Sequence, residues 1–315
     1  MSLPCVPGRV ARFAALLAGA TLLAGCSGPD PADSSATPTV GASSPTVRGP
    51  ATSSATSAAP RTSAGPADPV NYVAFGDSYA SGYGGGPLLD ACGRTGQGYP
   101  ALLDARDSVE LEADVSCAGA TALTTDPAAP EGPVDLPAQI ADAATRGVLT
   151  AETDVVTVTI GGNDVRFGSV VAACAGTTLP ATCAPAVQQS QMYAADVLAP
   201  TLASQFEQIS ALAPNATLVV TGYPHLFEPG TAGPLSAAAV DLFNSGTDAL
   251  NSVIAGQVPD GAVYVDVVDE FAGHGSGTAD SWIRLDGGPF DLHPTETGYR
   301  EGYTAAILAD TGNIF

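Results

Sequence analysis

Apolar residues along this chain follow two alternating patterns. Short, nearly continuous runs at residues 70–75, 154–160, 216–221 and 262–268 read as buried strands, and residues 109–117 alternate apolar with acidic positions, also a strand signature. Between and after them, apolar residues recur at helical spacing over 99–106, 136–149, 188–212, 235–254 and 295–308. Pro100, Pro137 and Pro294 stand where first helical turns begin, and Pro214 stands where one ends. Strand alternates with helix five times. Such alternation predicts an α/β domain over residues 68–315, with a parallel sheet and helices on both faces.

The stretch before residue 68 breaks the pattern. Arg9 and Arg12 precede an apolar run at 13–24 that is too short to span a bilayer comfortably, and the run ends in Leu23-Ala24-Gly25-Cys26, which looks like a bacterial lipobox. We therefore expect a lipoprotein signal peptide over 1–25, a lipid on Cys26, and a chain exported to the outer face of the cell membrane. A plain secretory peptide with an incidental Cys is the alternative. Residues 26–67 are rich in Ser, Thr, Pro and Ala and show no apolar periodicity, which predicts a disordered tether.

Composition narrows the partners. All 10 basic residues are Arg, against 32 acidic ones, and the net charge of −22 argues against nucleic acid. Cys5 would leave with the signal peptide and Cys26 would carry lipid. The other four cysteines form an even set in an oxidising context. Of the three possible connectivities we favour Cys92–Cys117 and Cys174–Cys183, the second closing a short loop. A cysteine-ligated zinc is disfavoured because no C-x-x-C spacing occurs.

The candidate chemistry sits just past the strands, on the rim where ligands bind in parallel sheets. Ser78 follows the first predicted strand in Gly76-Asp77-Ser78. Gly119 follows the second strand and Asn163 the third, and His293 lies after the fifth. A serine nucleophile needs a base, and His293 can reach back over the rim from its position before the last helix. His225 and His274 read as surface or hydrogen-bonding residues. The N–H groups of Ser78 and Gly119 and the Asn163 amide are the candidate oxyanion donors. Asp77 reads as a helix cap, and Asp164 as a prop for the Asn163 loop.

Taken in order, the four blocks Gly76-Asp77-Ser78, Gly119 within Cys117-Ala118-Gly119-Ala120-Thr121, Gly161-Gly162-Asn163-Asp164, and His293-Pro294 resemble the SGNH hydrolase superfamily, also called GDSL lipases and esterases. The cysteine positions and Tyr83-Gly84 further resemble secreted actinobacterial lipases of that group. The resemblance implies a three-layer α/β/α sandwich with five parallel strands (SGNH-hydrolase or flavodoxin-like). It also implies a serine carboxylic-ester hydrolase with no metal or cofactor. One position departs from the family. An Asp is usual three residues before the His, and here that residue is Phe290. The third member is then a Phe290 main-chain carbonyl, the slightly favoured choice, or Asp291.

Two other classes compete. A tethered solute-binding lipoprotein fits the N-terminus equally well, but binding alone does not call for Ser, Gly, Asn and His on one rim. A metallophosphatase-like site would need more ligands than three scattered histidines offer. The expected enzyme is a monomer acting on an ester. Lipid, short acyl and acetylated-glycan esters all remain compatible with the sequence.

Overall fold

The computed structural model describes residues 68–123 and 134–315. The expected signal peptide, Cys26 and tether lie outside the described residues. Five strands form one sheet in the order β2-β1-β3-β4-β5, with every neighbouring pair parallel. They are β1 (Val70–Gly76), β2 (Val109–Asp114), β3 (Val155–Thr159), β4 (Thr217–Thr221) and β5 (Val263–Val265). Helices α1 (Ser78–Ser81), α2 (Tyr99–Asp104), α3 (Leu136–Arg146), α4 (Phe167–Cys174), α5 (Cys183–Tyr193), α6 (Ala199–Leu212), α7 (Ala237–Ala255) and α8 (Ala305–Thr311) complete the α/β fold.

The sheet has one topological switch. From β1 the chain steps outward to β2, then crosses back to β3 and continues to β4 and β5. The carboxyl ends of β1 and β3 therefore open a crevice between diverging crossovers, the usual ligand position in such sheets. Ser78 and Asn163 emerge there from the two strands on its walls. Burial explains the strand sequences. All five residues of β3 are inaccessible, and their Val and Thr side chains pack against helices on both faces. The hydroxyls among them pair off, Tyr72 with Thr157 at 2.6 Å, Tyr99 with Thr159 at 2.9 Å and Thr159 with Thr221 at 2.6 Å, so no polar atom of this set is buried alone.

Several elements differ in extent from the expected ones. The second strand ends at Asp114 rather than 117, because the Asp114 side chain accepts from the Ser116 N–H and turns the backbone. The fifth stops at Val265, where Asp266 makes the same kind of turn with the Val268 N–H. Residues 167–174, lying between the predicted strand and the helix predicted from 188, form α4. The helix expected from residue 188 begins at Cys183 and runs through a π-turn, Ala194–Leu198, into α6. Pro200 in the first turn of α6 cannot donate to the preceding turn, and the wider π-turn accommodates that. The last helix likewise opens with a π segment, Gly298–Thr304. Disulfides join Cys92 to Cys117 and Cys174 to Cys183. The first ties the glycine-rich loop after α1 to the end of β2, and the second joins the facing ends of α4 and α5.

Gln139 of α3 holds the tip of β1. It is fully buried, accepts from the Gly76 N–H at 2.8 Å, and donates to the Gly76 carbonyl at 2.8 Å. The Gly76 carbonyl keeps a second donor in the Cys117 N–H, whereas the Gly76 N–H would be stranded without Gln139. Gln139→Ala should therefore cost about 1–3 kcal/mol, the cost of an unpaired buried donor, measurable by urea unfolding.

Candidate active site

Each part of the site has a local cause. β1 ends at Gly76 with φ +133, and a Cβ there would stand 2.2 Å from the Thr159 carbonyl oxygen, so only glycine can bring β1 this close to β3. Asp77 then caps α1, its carboxylate accepting from the Tyr79 N–H at 2.8 Å. Ser78 is thereby fixed in the first turn of a four-residue helix that Gly82 closes in the left-handed conformation. Asp77 was expected as a cap, but it has a second partner. Its other oxygen accepts from the Tyr223 hydroxyl at 2.6 Å, and that hydroxyl accepts from the Gly162 N–H at 2.9 Å. One buried chain thus links the residue before Ser78 to the residue before Asn163. Desolvation pushes the Asp77 carboxyl up to about 7.

His293 comes from the connection after β5. Its Nε2 lies 2.8 Å from Ser78 Oγ, and its Nδ1 lies 2.9 Å from the main-chain carbonyl of Asp291. Both residues expected as candidates for the third partner, Phe290 and Asp291, lie beside His293. The carbonyl at Nδ1 belongs to Asp291, while the Phe290 carbonyl accepts from the His293 backbone N–H at 3.3 Å. The Asp291 carboxylate faces the other way and accepts from the N–H groups of Asp286, Gly287 and Gly288. Leu292 provides the turn, with φ +67, an unusual conformation for a leucine. Three bonds hold it there: Leu292 N–H to the Arg284 carbonyl at 2.7 Å, Arg284 N–H to the His293 carbonyl at 2.9 Å, and Tyr79 O–H to the Leu292 carbonyl at 2.5 Å. Burial pushes the imidazole below its ordinary value, opposed by the carbonyls of Asp291 and Phe290.

The third wall is the segment from Gly119 to Leu123. Gly119 has φ +86. Side chains from other elements bond the backbone that follows it. Asn163 Nδ2 donates to the Ala120 carbonyl at 2.9 Å. The Thr121 N–H donates to Asp135 at 2.9 Å, the Ala122 N–H donates to Asp164 at 2.9 Å, and Gln205 donates to the Ala122 carbonyl. Asp164, expected as a prop for the Asn163 loop, thus bonds the segment after Gly119. Its carboxyl is raised to about 6 by desolvation. Ser78, Gly119, Asn163 and His293 line one open cleft of about 460 Å³, with Tyr83 and Phe167 on its walls.

The other two histidines are engaged elsewhere. His225 Nε2 meets Asp248 at 2.7 Å, and His274 stacks on Trp282 with centroids 3.7 Å apart. Among the described residues, no group of three or more His, Cys, Asp and Glu side chains is placed to hold a metal ion. The sequence reading passed over Tyr223 and the ring contacts of Tyr79 and Tyr83. They stand beside the Gly76-Asp77-Ser78 block and the end of β4, but their partners lie from 61 to more than 200 residues away in sequence.

A five-stranded parallel sheet in this order, with Ser78 and His293 in contact at its switch point, is a flavodoxin-like α/β architecture carrying a hydroxyl–imidazole pair where ligands bind. The sequence comparisons make the assignment specific. Residues 74–301 match the GDSL-like lipase/acylhydrolase family, and the chain belongs to that family. It is 31% identical over 250 residues to a lipase of Streptomyces rimosus, spanning 77% of this chain and 87% of that protein. It is also 31% identical to lipase 1 of Streptomyces coelicolor, over 80% and 91% of the two chains. Among solved structures, an extracellular lipase from S. rimosus superposes with a TM-score of 0.65 at 28% identity, covering 76% of this chain and 99% of that one. A phospholipase A1 from Streptomyces albidoflavus superposes with a TM-score of 0.64 at 31% identity, covering 76% and 98%. The protein is therefore a carboxylic-ester hydrolase with the SGNH α/β fold. Its two disulfides fit an exported chain.

Buried carboxyls with raised values set a pH dependence of stability. A carboxyl whose folded value exceeds its unfolded one contributes stability at low pH that is lost as pH rises through the folded value. For Asp77 that window runs from the ordinary value of 3.8 to about 7. Melting temperature should fall across this window, and it should fall less in Asp77→Asn, as scanning calorimetry from pH 4 to 8 will show.

Proposed function

We propose that the protein hydrolyses esters through an acyl-enzyme on Ser78. The observation that carries this reading is the imidazole of His293 with Nε2 2.8 Å from Ser78 Oγ and Nδ1 on a carbonyl. A carbonyl can only accept, so Nδ1 carries the hydrogen and Nε2 keeps its lone pair for the serine proton. Ser78 Oγ attacks the ester carbonyl carbon while Nε2 takes that proton. The tetrahedral oxyanion is met by the N–H groups of Ser78 and Gly119 and by Asn163 Nδ2, which has one hydrogen left after bonding Ala120. Collapse breaks the bond to the alcohol oxygen, and the imidazolium protonates the departing alcohol. Water then repeats the sequence on the acyl-enzyme and releases the acid. The Asp291 carbonyl is the orienting group in this scheme.

The substrate is a lipid or short acyl ester. The open cleft, with the apolar Leu88 and Phe167 on its walls, supports an apolar acyl group. The named relatives are lipases and a phospholipase A1. The lipobox-like Leu23-Ala24-Gly25-Cys26 supports attachment at the outer membrane face through Cys26.

A fluorophosphonate should label Ser78 of the purified protein, with no label in Ser78→Ala or His293→Ala; a folded wild type that takes none would overturn the proposal. Asn163→Ala should lower kcat on p-nitrophenyl esters by about 10²–10³. The acid limb of kcat/KM should have its midpoint below the ordinary histidine value of 6.5, because burial favours the neutral base.

A further inference from the structure

The proposed reaction makes His293 an imidazolium in a site where burial disfavours charge. A carboxylate at Nδ1 would ordinarily offset that cost, and here Nδ1 meets only a neutral carbonyl. The nearby charges do not replace it. The Asp291 carboxylate is spent on the N–H groups of residues 286–288. The Asp77 carboxyl is committed to Tyr223 and the Tyr79 N–H. Asp90, on the cleft wall, is paired with Arg94 at 2.7 Å. Arg284, whose Nε donates to the Gly84 carbonyl at 2.5 Å, is a cation and opposes an imidazolium.

Two tyrosine rings remain. The Tyr83 centroid lies 5.0 Å from that of His293 with the planes 72° apart, and the Tyr79 centroid lies 5.3 Å away at 37°. Both fall within the about 6 Å over which an aromatic ring attracts a cation held over its face, an attraction that grows as water is excluded. Neither ring is free to swing away. Tyr79 is buried, packs edge-on against Tyr223 at 5.2 Å, and is tied through its hydroxyl to Leu292. Tyr83 packs against Phe290 at 4.8 Å and lies so close over Gly93 that a Cβ there would meet its ring at 2.6 Å. The disulfide partner Cys92 precedes that glycine, so the wall behind Tyr83 is covalently braced.

We infer that Tyr83, with Tyr79, is a positioning residue whose ring stabilises the His293 imidazolium in place of the missing carboxylate. This rests on His293 being the general base, yet it can be read on the imidazole itself without substrate. The test is the NMR titration of the His293 Cε1 proton in the full chain, in wild type, Tyr83→Phe and Tyr83→Leu. Two roles predict opposite signs. If the ring attracts the imidazolium, Tyr83→Leu lowers the midpoint and Tyr83→Phe leaves it in place. If the ring only shields the imidazole from water, Tyr83→Leu raises the midpoint towards 6.5. A midpoint that rises or stays put in Tyr83→Leu overturns the inference. The acid limb of kcat/KM should move with the titration, and kcat should fall about ten-fold in Tyr83→Leu, within the range of a desolvated cation–ring contact, but not in Tyr83→Phe. Should Tyr83→Leu not fold, pentafluorophenylalanine at position 83 keeps the ring's shape and reverses its quadrupole. A lowered midpoint is expected there, and an unchanged one overturns the inference. Fluorophosphonate labelling of the same variants separates the two levels. Labelled Ser78 with an unmoved midpoint defeats only the role of the ring, whereas absent labelling in wild type defeats the base assignment.

Discussion

The site depends on holding an imidazole in hydrogen-bond contact with a hydroxyl 215 residues away in sequence. No single element can do this. Ser78 is set by a glycine-permitted approach of β1 to β3 and a carboxylate cap. His293 is set by a leucine in the left-handed region, a conformation that costs of order 1–3 kcal/mol and persists only where surrounding bonds over-determine it. Here those bonds come from Arg284 on one side and Tyr79 on the other. Because Tyr79 is the neighbour of Ser78, the turn that carries Ser78 itself helps to hold His293.

Tyrosines carry much of this coupling. The Tyr299 hydroxyl donates to the Tyr83 carbonyl at 2.9 Å and lies 3.2 Å from that of Ser78, and the Tyr303 hydroxyl donates to that of Gly222. Tyr223 joins Asp77 to Gly162. Each ring packs in the apolar layer while its hydroxyl satisfies a loop backbone group, which suits Tyr better than Phe or a short hydroxyl residue. The loops that bear the candidate chemistry are thereby fastened to the hydrophobic core. The glycine loop is fastened in another way, through carboxylates and amides from three separate segments. Both devices bury polar groups at a desolvation cost, seen in the raised values of Asp77 and Asp164. The result is a cleft whose polar groups are held in place by buried partners.

Most of the architecture was legible in the chain because parallel, doubly covered strands demand continuous β-branched runs, and the helices between them demand one apolar face. The four short blocks carrying Ser78, Gly119, Asn163 and His293 could be placed on one rim because strand ends in a parallel sheet share a side. Element ends were less legible. Asp114 and Asp266 stop their strands by side-chain turns that compete with the ladder, and periodicity does not register such competition. Helix α4 was missed because eight residues offer too few turns for a period to emerge.

What only the tertiary structure decided is the identity of atoms. The sequence determined that residue 290 cannot offer a carboxylate. In the folded chain the carbonyl of Asp291 meets the imidazole, beside a left-handed Leu292 held by bonds to Arg284, eight residues earlier, and to Tyr79, 213 residues away. The rings of Tyr79 and Tyr83 around His293, and the Asp77–Tyr223–Gly162 chain, belong to the same category. Local sequence determines conformational preference through short-range sterics and periodicity. Contacts across hundreds of residues arise only when the sheet has closed and burial leaves each polar group one available partner.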